Sequence, residues 1–127
     1  MPQEAASYHA ALLKRPRVGT ILERFINGWL GSSDMNALRE FLKQRANAKD
    51  ATPADVRLLG VFFARQGELE AAVEVFIKAS QLDEKNPEVW LHRAGAEAKL
   101  SRHSEALESL ARVTETTGPF AKEAAML

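Results

Sequence analysis

The sequence predicts an all-α domain built from antiparallel helix pairs, and three observations support this fold class. Apolar residues recur at helical spacing along most of the 127-residue chain. The sustained alternation of apolar and polar residues that indicates strands is missing. Pro53 and Pro87 stand 34 residues apart, and the segments that they open align, with Gly67 matching Ser101. A period of this length is typical of repeat architectures, in which each unit packs only against its neighbours.

The elements are expected in the following order. A leading helix and a basic bend occupy 3–18, because apolar residues at helical spacing run up to Arg15-Pro16-Arg17. Three 34-residue segments follow at 19–52, 53–86 and 87–120, and a short apolar helix begins within 119–127. The segment at 19–52 is degenerate, since Ser33 stands where a glycine is expected at the turn.

Proline, glycine and short polar residues predict where the helices begin and end. Pro53 and Pro87 suit the first position of a helix, and the preceding Thr52 and Asn86 are good caps. Gly67 is expected at a helix end, because glycine adopts the left-handed conformation easily. Small residues should let paired helices approach, and large residues should fill the space around them. The positions expected to carry this packing and turning are Leu59, Gly60, Phe63, Gly67, Ala72, Phe76, Trp90, Ala94 and Ala106.

These residues and their spacing resemble the tetratricopeptide repeat (TPR) family. The segment 53–86 meets the family pattern of Leu-Gly, an aromatic, Gly, Ala, an aromatic and Ala at set offsets. The segment 87–120 departs from it, since Arg93 and Glu97 replace a leucine and an aromatic, which predicts a looser or specially paired repeat. The resemblance implies a right-handed superhelical solenoid of about three repeats plus end helices, acting as a non-catalytic adaptor without a cofactor.

The resemblance also implies a concave groove lined by the first helix of each repeat. Its expected partner-binding residues are Arg57, Val61, Arg65, Leu91, His92 and Lys99. Three of them, Arg57, Arg65 and Lys99, are cations that would hold an acidic group or the terminal carboxylate of an extended peptide. The alternative is that these cations lie on a solvated helix face and are neutralised by a neighbouring Glu68, Glu88 or Glu97.

A second candidate surface is the basic bend itself, with Lys14, Arg15 and Arg17 projecting around Pro16. Residues 1–50 carry eight Lys/Arg against five Asp/Glu, whereas 51–127 carry nine against twelve. This polarity would orient the molecule against an acidic protein filament or, more weakly supported, an anionic membrane surface. The alternative is a solubilising helix end with cations near the helix C-terminus. The apolar end at 124–127 predicts self-association.

Composition narrows the function classes. The length indicates one domain, and 46% hydrophobic with 27% charged residues is typical of a folded one. The absence of cysteine excludes disulfides and thiolate sites, and 17 Lys/Arg against 17 Asp/Glu gives no general attraction to nucleic acid. No phosphate-binding, metal-ligand or nucleophile motif is present, so neither an enzyme nor a metal site is expected. The sequence lacks a signal peptide and a membrane span, which predicts a cytoplasmic protein.

Three functions remain. The first is a protein-interaction adaptor that binds one partner. The second is a protein similar to the small bacterial kinesin-light-chain type of TPR protein, which accompanies tubulin-type filaments and links them to membranes. The third is the N-terminal piece of a longer TPR scaffold.

Overall fold

The computed structural model describes residues 1–115, which form seven helices and no strand. The predicted all-α class is therefore confirmed. The helices are α1 (Gln3–Lys14), α2 (Thr20–Leu30), α3 (Met35–Asn47), α4 (Pro53–Arg65), α5 (Leu69–Leu82), α6 (Pro87–Lys99) and α7 (His103–Glu115). Within this range, no helix has the length and apolar character needed to cross a membrane. The predicted helix at 119–127, the apolar end at 124–127 and the last residues of the segment 87–120 lie outside the described residues.

Local sequence sets the helix starts. The Asp34 carboxylate accepts a hydrogen bond from the Ala37 amide at 2.8 Å and caps α3. At α4, Thr52 and Asp55 form a reciprocal capping box ahead of Pro53. At α6, the Asn86 side chain accepts a hydrogen bond from the Glu88 amide at 3.0 Å. Side-chain oxygens thus satisfy main-chain donors that the first helical turn leaves unpaired.

The turns after α4 and α6 are alike. Gly67 has a φ of 79° and Ser101 has a φ of 60°, so both take the left-handed conformation two residues after a helix ends. The pair α6–α7 consequently follows α4–α5 with both helix starts displaced by 34 residues. Glycine adopts this conformation without strain, whereas serine carries a Cβ that disfavours it.

The α4–α5 pair is held close by one glycine. A Cβ on Gly60 would lie 2.6 Å from Cε1 of the Phe76 ring, far inside van der Waals contact. Only a residue without a side chain therefore lets α4 approach this ring. The other packing residues named from the sequence are between 0% and 7% exposed: Leu59, Phe63, Ala72, Phe76, Trp90, Ala94 and Ala106.

The N-terminal helices are arranged differently from the later pairs. Helix α2 packs mainly along α1 and makes only a small contact with α3, whereas the segment 19–52 was expected to form its own pair. The reason is a close crossing in which a Cβ on Gly28 would lie 3.1 Å from the Ala5 backbone. His9 of α1 stacks on Phe25 at 5.6 Å and meets Phe41 edge-on at 5.3 Å. The leading helix is thus part of the core.

Arg93 and Glu97, the two departures from the family pattern, belong to one buried cluster. Glu97 is 1% exposed, lies 3.3 Å from the Arg93 Nε and accepts a hydrogen bond from the Ser109 hydroxyl at 2.6 Å. Arg93 also donates to the Ser80 hydroxyl at 3.2 Å. The charges are paired across α5, α6 and α7, which is the second of the two alternatives drawn from the sequence.

Candidate peptide-binding cleft

A cleft of about 170 Å³ lies between α4 and α6. Four of the six residues predicted for the groove meet here, namely Val61, Leu91, His92 and Lys99. The remaining lining residues are mostly apolar or small: Val18, Ala64, Leu69, Phe76, Gly95 and Ala96. We call this region the α4–α6 cleft.

Gly95 gives the cleft its depth. No atom lies within 4 Å of the position where a Cβ on Gly95 would stand, so this point of α6 borders unfilled space. Val61 on α4 is buried, while Leu91 and Ala64 are half-buried. The walls are therefore aliphatic, and the glycine leaves room for a main chain or side chain to approach.

His92 contributes an uncharged aromatic wall. Its ring stacks on Phe76 with the ring centroids 5.5 Å apart. Burial, and secondarily the nearby Arg57 guanidinium, lowers the pKa of His92 to about 4. The imidazole is therefore neutral at physiological pH. Its Nδ1 is buried and has no hydrogen-bond partner among residues 1–115.

Lys99 is the cation that remains available in the cleft. It is exposed near the C-terminal end of α6, and no ion pair to it occurs in the described part of the chain. Arg65 lies outside the lining and donates two hydrogen bonds to the Glu23 carboxylate, at 2.8 and 2.6 Å. These bonds raise the pKa of Arg65 and lower that of Glu23. Arg65 is thus already neutralised.

The expectation that Arg57 faces an open groove is wrong. Arg57 is only 6% exposed, and its Nη2 donates to the Pro16 carbonyl at 3.2 Å and lies 3.3 Å from Glu88 Oε1. Burial lowers its pKa, partly opposed by the Glu88 charge. The Nε is buried without a hydrogen-bond partner within residues 1–115. The alternative of neutralisation by an acid is therefore correct for Arg57, with Glu88 as the acid.

Glu68 and Glu97, the other acids considered for this role, pair elsewhere. Glu68 accepts two hydrogen bonds from Arg39 at 2.9 and 2.8 Å, and Glu97 pairs with Arg93. The acid that neutralises Arg65 is Glu23, which the sequence analysis did not assign to this role.

The predicted basic surface is only partly free. Arg15 Nε bonds the same Glu88 oxygen at 3.0 Å, and Pro16 is buried. Lys14 and Arg17 are exposed and form no ion pair with the described residues. The segment 15–18, which we call the strap, therefore packs on the cleft instead of projecting three free cations. The proline and the acid are plain in the sequence, but their separation hides the contact.

The sequence matches no family model and no curated protein. The fold and cleft define the molecule as a helical protein with an apolar binding cleft beside paired cations.

Proposed function

We propose that this protein is a TPR-like, non-catalytic interaction module that binds an extended peptide of a partner protein in the α4–α6 cleft. The repeat assignment is supported by the 34-residue offset between α4–α5 and α6–α7 and by the matching turns at Gly67 and Ser101. The observation that carries the binding assignment is an apolar cleft with an unpaired cation, Lys99, at its edge.

The cleft suits one aliphatic side chain of a peptide. Its volume of about 170 Å³ is below the range of about 300 Å³ and more that is usual for small-molecule sites. Val61 and Leu91 provide apolar contact, and Gly95 admits the peptide backbone. Neutral His92 adds an aromatic wall without a charge to desolvate. Burial of the side chain supplies affinity, and its shape supplies selectivity.

Lys99 sets the second requirement. A carboxylate that follows the aliphatic residue, from an acidic side chain or a chain terminus, pairs with Lys99 at the exposed end of α6. Arg57 and Arg65 do not take this role, because Glu88 and Glu23 already neutralise them. The preferred ligand is therefore an extended segment with an aliphatic residue followed by a carboxylate.

A selection from displayed linear heptapeptides tests this proposal. Wild-type protein should enrich sequences with an aliphatic residue followed by an acidic residue. Gly95→Gln fills the cleft from a site where a side chain meets no atom, and it should abolish enrichment with the helix content preserved. Lys99→Glu should remove the acidic preference.

Lys78→Glu is the matched control, because it makes the same charge change at an exposed position of α5. This variant should select the same peptides as the wild type. Equal enrichment by wild-type and Gly95→Gln proteins would refute the cleft as the binding site.

A further inference from the structure

The strap, residues 15–18, lies on the proposed binding site. It connects α1 to α2, with Pro16 bonded to buried Arg57 and Val18 lining the α4–α6 cleft. We propose that the strap is an intramolecular occupant of the cleft, which a partner peptide of similar chemistry displaces. This inference rests on the proposed function and adds to it a mode of regulation and the polarity of the ligand.

The contacts of the strap are those expected of a bound peptide. The Pro16 carbonyl accepts a hydrogen bond from Arg57 at 3.2 Å, and the Arg15 guanidinium pairs with Glu88 at 3.0 Å. Two residues after the proline, Val18 reaches the apolar lining beside Gly95. A main-chain hydrogen bond, a charge pair and an aliphatic side chain therefore follow one another along the strap, as in extended-peptide recognition.

The strap is held weakly enough to be displaced. The Arg15 side chain is 53% exposed and Val18 is 58% exposed, so neither is enclosed by the cleft. Ion pairs at such exposure are screened and contribute little. Gly19 follows the strap with a φ of 152° and has no atom within 4 Å of a Cβ position, which makes it a suitable hinge. Arg57 itself is incompletely bonded, because its Nε has no partner in the described chain.

The direction of the strap indicates the order of groups in the ligand. A cation pairs with Glu88, a proline carbonyl bonds Arg57, and an aliphatic residue enters beside Gly95. Lys99 lies further along α6, about 16 Å from Glu88 at the usual helical rise. An extended chain covers that distance in about five residues. The ligand should therefore read basic, proline, any residue, aliphatic, any residue, acidic.

The probe is a fluorescein-labelled peptide of sequence Arg-Pro-Ala-Val-Ala-Glu, titrated by anisotropy. The variant Arg15→Ala/Val18→Ser removes the charge pair and the apolar side chain of the strap, both at exposed positions. It should bind the probe about fivefold more tightly than the wild type, because more molecules have an unoccupied cleft. Arg17→Ala is the matched control, since it removes one cation from the same segment without removing a described contact. It should bind like the wild type.

The outcomes separate the two proposals. A tighter double variant, an unchanged Arg17→Ala variant and weaker binding of a probe whose Arg is replaced by Ala would support the strap. Probe binding that Gly95→Gln abolishes, with the double variant equal to wild type, would overturn the strap and leave the proposed cleft intact. Equal tightening by Arg17→Ala would also overturn it, since general charge repulsion would then explain the effect. Absence of saturable binding to wild type and double variant alike would overturn both.

Discussion

The guanidinium of Arg57 donates a hydrogen bond to the main-chain carbonyl of Pro16, a residue 41 positions earlier. This contact joins the N-terminal bend to α4 and places a cation where solvent hardly reaches it. A residue expected to contact a partner is therefore engaged within the chain, and the accessible part of the cleft shifts toward Gly95 and Lys99.

Replacing Trp90 with alanine should destabilise the protein by about 3–5 kcal/mol, because a large buried side chain is removed. Trp90 is 7% exposed, its Nε1 donates to the Glu84 carbonyl at 2.7 Å, and the Arg112 guanidinium lies 4.6 Å from its ring centroid. Urea unfolding followed by circular dichroism measures the loss. Leu107→Ala, at a side chain 67% exposed, is the control and should change little. A Trp90→Ala protein that melts within a degree or two of the wild type would contradict the packing described.

Two glycines in equivalent helices should respond oppositely to alanine. Gly60→Ala forces a methyl group against Phe76 and should destabilise the fold by about 1–3 kcal/mol. Gly95→Ala adds a methyl group where nothing lies within 4 Å and should stabilise α6 by about 0.5–1 kcal/mol, since alanine favours the helix. Thermal melts of the two variants in parallel test the pair. The same sign of change in both would refute the close α4–α5 contact.

The left-handed turns predict a second pair of opposite effects. Ser101→Gly should stabilise the protein by about 1 kcal/mol, because glycine relieves the strain at φ 60°. Gly67→Ala should destabilise it by about 1 kcal/mol, since the same strain is introduced at φ 79°. Chemical denaturation at constant pH measures both free energies of unfolding. A loss of stability in Ser101→Gly would show that the serine side chain outweighs its backbone strain.

His92 should make stability depend on pH. Its pKa falls from the model value of 6.5 to about 4 in the folded protein, so the unfolded chain binds the proton more readily. The neutral ring therefore favours folding fully above about pH 6.5, and this contribution is lost as the pH falls toward 4. Comparison of wild type with His92→Asn by urea unfolding from pH 7 to 4 should show a steeper decline in the wild type, by about 2–3 kcal/mol. Parallel curves would mean that His92 is solvated in the folded state.

The helix ends were predictable because their causes are local. Pro53, Pro87 and their caps act within one helical turn, and Gly67 acts through its own backbone. The same locality explains why Val61, Leu91 and Lys99 were correctly expected on one surface, since each follows from its position on a helix.

What the sequence did not reveal depends on distant contacts. The burial of Arg57 requires Pro16 and Glu88 to converge from separate segments, and no spacing rule connects them. Likewise, the preference of α2 for α1 follows from Gly28 meeting the Ala5 backbone, a fit between two surfaces that helical periodicity does not encode.

The carboxylate of Glu97 constrains how the last two described helices sit on α5. Its partners Arg93 and Ser109 come from α6 and α7, and Arg93 reaches Ser80 on α5. Sliding α7 by one turn would leave this enclosed negative charge facing hydrocarbon, at a penalty that apolar contacts tolerant of such slippage would not impose. The polar cluster therefore acts as a registration pin, so that the three helices fit together in a single alignment.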